Sequence, residues 1–119
     1  MSAETSVYSA LSGYAGLTAI VSTRIYPDVL PDTTVYPALV FARERTEPLI
    51  SISNSYFGSD VALKVACWAD TRTQADAAST QAQAALLAAG IVPTGKNAGY
   101  DPDTDLFASI IDIDIFEQP

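Results

Sequence analysis

Histidine is absent from this chain of 119 residues, and cysteine, methionine and tryptophan occur once each. Without histidine the commonest general base is missing, and with it most zinc sites and the Ser-His and Cys-His nucleophile pairs. The lone cysteine, Cys67, excludes a disulfide framework within the chain. Six Lys and Arg stand against fourteen Asp and Glu, a net charge of −8. Cations so few and so scattered argue against affinity for nucleic acid or an anionic membrane, where phosphates need clustered Lys and Arg. The longest apolar run, 84–92, falls far short of the ~20 residues that span a bilayer. No positively charged n-region precedes an apolar stretch at the start, so no secretory signal is visible. The expectation is a soluble protein made in a reducing cytoplasm.

What the chain does have is hydrophobic residues, 49% of the total, with a slightly positive mean hydropathy. That composition excludes global disorder, and the length suits one domain, 1–119, burying roughly two-thirds of its unfolded surface. The organising stretch is 60–90. Val61, Leu63, Val65, Cys67 and Ala69 alternate with Ala62, Lys64, Ala66 and Trp68, the period of a strand with one face on a core. A helix over 73–89 follows, its stripe of Ala75, Ala78, Ala82, Ala85, Leu86 and Ala89 small enough to lie close on a sheet. Thr71 and Gln74 have capping-box spacing, and Gly90 suits the left-handed residue past the end.

Around that unit the chain reads as helix 3–12 ended by Gly13, a short helix 17–22, and a strand fragment near Ile25 confined by Pro27 and Pro31 to an edge. A strand follows at 38–45. A long hairpin or flap over 46–59 joins it to the central strand, and a turn-rich loop is expected over 93–104. The last strand, 106–117, points Ile111, Ile113 and Ile115 one way and Asp112 and Asp114 the other. Lys64 answers those aspartates if the two strands are neighbours. The fold class is α+β: a small, mostly antiparallel sheet, with the N-terminal helix and the Ala-rich helix on one face.

Candidate sites are few. Cys67 in a core strand reads as an inert small hydrophobe. Gly90-Ile91-Val92-Pro93-Thr94-Gly95-Lys96-Asn97 nearly spells a phosphate-binding loop, but it ends in Asn, follows a helix and opens no second helix. Asp101, Asp103 and Asp105 alternate as calcium ligands do, with Asp112 at the twelfth position. Leu106 replaces the required glycine, so a turn with aspartates capping amides is the plainer reading. Leu49, Ile50, Ile52, Tyr56 and Phe57 are apolar residues in a loop-like stretch, either core or an arm for a partner. No catalytic group and no cofactor emerge.

The order of motifs carries a resemblance. An N-terminal helix leads to Arg24-Ile25-Tyr26-Pro27-Asp28, then Tyr36-Pro37-Ala38-Leu39-Val40. A strand ending Trp68-Ala69-Asp70 and the helix from Gln74 follow, and Tyr100-Asp101-Pro102-Asp103-Thr104 precedes the last strand. In this order the chain resembles the tail completion, or tail terminator, proteins of long-tailed bacteriophages and related prophages, over nearly its whole length. The flap 47–59 departs from the pattern, so nothing residue-specific transfers there.

The resemblance implies a non-enzymatic assembly protein of the virion. It implies a homohexameric ring on the last ring of the tail tube, ending tube growth and joining the tail protein to the head–tail connector or stopper at the head-proximal end. Assembly would take place in the host cytoplasm, with no membrane, and with DNA only passing through the lumen. Asp112 and Asp114 would face that lumen, and Leu49, Ile50, Ile52, Tyr56 and Phe57 would serve the interface. Rival readings are another neck protein (a stopper), a calcium-dependent binding module using Asp101, Asp103 and Asp105, and a small enzyme.

Overall fold

The computed structural model describes residues 3–22, 24–28, 36–50 and 56–117, with 3, 47–50, 56, 57 and 117 as backbone only. In chain order the elements are α1 (Ala3–Ser12), α2 (Ala15–Val21), β1 (Ile25–Pro27), β2 (Ala38–Ile50), β3 (Tyr56–Ala69), α3 (Arg72–Ala88), β4 (Pro93–Asp101) and β5 (Leu106–Glu117). The strands form one sheet in the order β1-β2-β3-β5-β4. The β1–β2 pair is parallel and all the others are antiparallel. This is the α+β architecture expected.

The alternation in β3 decides where the core lies. Val61, Leu63, Val65, Cys67 and Ala69 are all buried, and opposite them in register stand Ile111, Ile113 and Phe41, buried as well. The helices cover this face alone. Val7 and Leu11 of α1, Leu17 and Val21 of α2, and Ala78, Ala82, Ala85 and Leu86 of α3 complete one cluster with the sheet. Fully burying each Leu, Ile or Val contributes about 1.5–3 kcal/mol relative to exposure. The alanine stripe of α3 brings its backbone close to the strands.

Both ends of α3 are closed. Thr71 accepts a 3.2 Å hydrogen bond from the Gln74 amide, the forward half of the expected capping box. At the C-terminus the Gly90 amide donates to Leu87 O (3.0 Å) and the Ile91 amide to Leu86 O (2.8 Å), with Gly90 at φ 82°. That pair of bonds is a Schellman motif, and Ile91 packs on the core as its hydrophobic partner.

Three expectations need correction. Residues 93–101 are strand β4, not loop: eight of its positions pair with β5, and only the turn after Asp101 remains irregular. Of the two forms expected over 46–59, hairpin or flap, the described residues show the hairpin, and it is the strand bounds that change: β2 runs on past Arg45 to Ile50 and β3 begins at Tyr56, with the ladder reaching Ile50↔Tyr56. The register shift between Arg43 and Arg45 marks a bulge, which takes up the extra residue without breaking the ladder. Helix α2 starts at Ala15 and ends at Val21, where Ser22 takes φ 55°.

Candidate assembly surfaces

Among the described residues, no helix lies on the second sheet face. Ala62, Lys64, Ala66 and Trp68 of β3 form its central row, flanked by Val40 and Ala42 of β2 and by Ile110, Asp112 and Asp114 of β5. One end of this face is apolar. Trp68 stands in register between Ala38 and Ala108, both fully buried. The other end is charged. Lys64 Nζ lies 3.7 Å from Glu44 Oε1 and 4.0 Å from Asp112 Oδ1. Asn97 Nδ2 donates to Asp112 Oδ2 at 3.3 Å, while Asp114, opposite Ala62, is exposed. The structure thus brings Lys64 opposite Asp112, as the alternation implied, and puts both aspartates on the open face.

Of the proposed interface residues, Leu49, Ile50, Tyr56 and Phe57 lie at the far end of the β2–β3 hairpin, and their side chains lie outside the described residues, as does the whole of Ile52. The last pair that β3 makes with β5 is Ser59↔Glu117. Beyond it, among the described residues, the hairpin is a two-stranded ribbon.

Asp101, Asp103 and Asp105 do not converge. Asp101 Oδ1 accepts from the Asp103 amide and Oδ2 from Thr104 Oγ1, each at 3.0 Å, and Asp105 accepts from the Tyr100 hydroxyl. That hydrogen bond, with the nearby carboxylates, holds the Tyr100 proton above the usual phenol range. Among the described residues no three carboxylates or thiols are placed to hold a metal ion. The near-phosphate loop ends in strand geometry, so its amides belong to β4 and to the end of α3. Cys67 is fully buried, and burial pushes its thiol up to about 12, which removes it as a nucleophile at neutral pH.

Sequence reasoning missed three arginines that tie the layers together. Arg72, the first residue of α3, donates to Ala108 O (2.7 Å) and Gly99 O (2.8 Å) and lies over the Phe107 ring. Arg43 pairs with Glu4 of α1 at 2.6 Å, and Arg24 reaches Pro37 O and Ile20 O. With Lys64 paired too, most of the six cations are occupied within the fold. Nothing in the sequence pattern distinguishes these arginines from solvated ones.

Compared with known proteins, residues 5–118 match the family model described as tail completion protein gp17. The chain belongs to that family. It is a structural protein of the phage tail. The fold is also that of a chain in the virion of a native gene transfer agent particle, at TM-score 0.76 and 18% identity, covering 98% of this chain and 95% of the other. No curated protein matches it in sequence. For a tail completion protein, a sheet face and two sheet edges that nothing covers among the described residues are the surfaces on which neighbours can act.

Proposed function

We propose that the protein is a tail terminator: a homohexameric ring that seats on the last ring of the tail tube, stops its growth and presents its other side to the head connector. The observation that carries this reading is the family match over residues 5–118, which takes in every element of the fold from α1 to β5. The physical inventory agrees. The one thiol is inert, four of the six cations are engaged within the fold, and among the described residues helices cover only one side of the sheet. A closed ring needs two different complementary patches per subunit, and a one-sided open sheet supplies different surfaces on its two flanks.

Asp112 and Asp114, with Glu44 and Asp60, give the open face four carboxylates against the two cations Lys64 and Arg45. Turned to the lumen, that surface would repel DNA phosphates within a Debye length, about 8–10 Å, and keep the passage free of bound DNA. The same reading makes Leu49, Ile50, Ile52, Tyr56 and Phe57 interface residues, and the first two and last two of these belong to the end of the β2–β3 hairpin. A lone two-stranded ribbon is marginal in water, so a partner that covers it gains its apolar surface cheaply.

The test is negative-stain electron microscopy of tail tubes incubated with gold-labelled protein, wild type and a deletion of residues 49–57. Wild-type label should sit as one ring at the head-proximal end, and tubes should stop growing. The deletion should fold and fail to cap. Label distributed along the tube, or capping undiminished by the deletion, defeats the corresponding part of the reading.

A further inference from the structure

Two backbone edges of the sheet are unpaired among the described residues, and they fit each other. β1 pairs with β2 only at Leu39, Val40 and Phe41, so β2 from Ala42 onward carries no strand on its outer side. At the opposite flank β4 pairs with β5 and with nothing beyond. A free row of amides and carbonyls is a template for another strand, and proteins usually blunt it with charges, bulges or proline. β4 is barely blunted. Pro93 stands at its very start, and Gly95, Ala98 and Gly99 are small.

We propose that in the ring the β4 edge of one copy pairs with the β2 edge of the next, antiparallel, with Thr46 opposite Ala98. The proposal rests on the ring reading above. β2 is antiparallel to β3, β3 to β5 and β5 to β4, so β4 runs opposite to β2. Rotation about an axis roughly along the strands preserves strand direction. Adjacent copies in a head-to-tail ring therefore meet as an antiparallel pair, the ladder with the better hydrogen-bond geometry.

Three constraints select the register. First, opposed residues must point to the same face. On the helix side these are Arg43 and Thr46 of β2, and Lys96, Ala98 and Tyr100 of β4, by their partners Leu63, Val61, Ile111, Ser109 and Phe107. Second, β1 already occupies β2 up to Phe41. With Thr46 opposite Ala98, and Glu44 absorbed as the bulge, Asp101 meets Ala42, the first residue past the β1 pairing. Sliding β4 by two, to bring Lys96 opposite Thr46, would drive its end into the place held by Pro27. Third, the far end brings Ile50 to Thr94 and leaves Pro93 outside, where its missing donor costs nothing. Pro48 removes one donor from the β2 side, so the continuous part of the ladder lies over 42–47.

An independent feature agrees with this register. It places Tyr100 opposite Arg43, one helix-side position past Phe41, at the mouth of a groove of about 440 Å³. Tyr8, Ile25, Pro27 and Phe41 supply the apolar walls of that groove. Tyr100 is 50% exposed in the single subunit and Tyr8 44%, so both rings have apolar surface left for a neighbour to cover. In the ring the tyrosine of one copy covers the groove of the next, an aromatic anchor in a pocket beside a polar rim.

The experiment is disulfide trapping in the full chain. Directly opposed antiparallel residues have Cα atoms within disulfide reach, whereas neighbours two positions away do not. The variant T46C/A98C should therefore oxidise to covalent oligomers ending at a closed hexamer. T46C/K96C and each single variant should remain mostly uncross-linked, and buried Cys67 should not contribute. All three positions are exposed, and a wild-type circular dichroism spectrum and urea midpoint check folding. Separately, Tyr100→Ala should weaken association at least about ten-fold, and Asp105→Asn, which perturbs the Tyr100 hydroxyl's partner within the subunit but keeps the ring, should not, so that lost intrasubunit contacts are told from a lost anchor.

T46C/A98C chains that cap tail tubes normally yet stay uncross-linked overturn the edge pairing and leave the terminator reading standing. Cross-linked rings that never seat on tubes do the reverse. A chain that stays monomeric both in solution and on tubes overturns both.

Discussion

Arg72 is a positive charge at the first position of α3, the end of a helix where the macrodipole disfavours it. Its position must therefore be held by what the guanidinium reaches. The two short bonds to Ala108 O and Gly99 O bridge β5 and β4, and the Phe107 ring lies 5.2 Å beneath Cζ. A hydrogen bond to a charged donor contributes about 1.5–3 kcal/mol when well buried. Here the site is part-buried, so about 1 kcal/mol each is the defensible figure. The cation–π contact adds about 0.5–1 kcal/mol, and removing the charge returns a few tenths from the dipole.

Arg72→Met keeps most of the stem and should therefore destabilise the fold by about 2 kcal/mol. Urea unfolding with a slope of about 1–3 kcal/mol/M converts this to a midpoint lowered by roughly 1 M. Hydrogen exchange should show where the loss falls: β4 amides unprotected before those of β3, because β4 has one strand neighbour and few helix contacts. Arg72→Lys should recover little, since a compact ammonium lacks the two separate nitrogens that meet the two carbonyls and the planar face that lies over Phe107. A midpoint within about 0.3 M of wild type, with β4 protection unchanged, would refute the claim that Arg72 pins the edge.

Two further outcomes follow from the structure. Gly90→Ala should cost about 1–2 kcal/mol from left-handed backbone alone, because open space surrounds a Cβ there; an unchanged urea midpoint would deny the Schellman end its role. For Cys67, the unfolded thiol ionises near 9 while the folded one holds its proton to about 12. The unfolded chain thus binds fewer protons in that window, and stability should fall as pH rises from 9 to 12, at up to ~1.4 kcal/mol per unit, with no effect below 9. A Cys67→Ala chain should lack that slope, and parallel stability curves for the two proteins above pH 9 would contradict the burial.

What the sequence made legible is the part governed by one period. In β3 and β5 the alternation of apolar and polar residues is unbroken, so the buried row, the open row and the shared face of Asp112 and Lys64 could all be read without coordinates. Helices α1 and α3 were readable from their stripes and, for α3, from Thr71 and Gly90. β4 was not readable, because Pro93, Gly95, Asn97 and Gly99 carry turn propensity and no periodic apolar side chain. Pairing with a strong neighbour, β5, overrides that weak local preference, as tertiary context commonly does for strands. The extension of β2 was hidden similarly: Pro48 and the bulge at Arg43/Arg45 both suggest an end where the ladder to β3 in fact continues. The arginine ties were invisible because a sequence names donors but not which carbonyls they reach.

The failure at β4 has the same physical source as its proposed use. A strand whose residues specify strand weakly must be held from one side, here by β5 and by Arg72, and it has little side-chain bulk to shield its other side. The residues that erase the strand from the sequence, glycine and alanine above all, leave its outer backbone bare. A monomer would be expected to plug such an edge with charge or proline, because it is otherwise an invitation to aggregation. Lys96, on the helix side opposite Ile111, is the only cation along β4, so a single lysine is what guards the middle of this edge. An edge this bare is tolerable in a chain whose working state covers it. In the proposed ring the covering strand would come from the far flank of the same sheet in the next copy, in opposite direction and matched register.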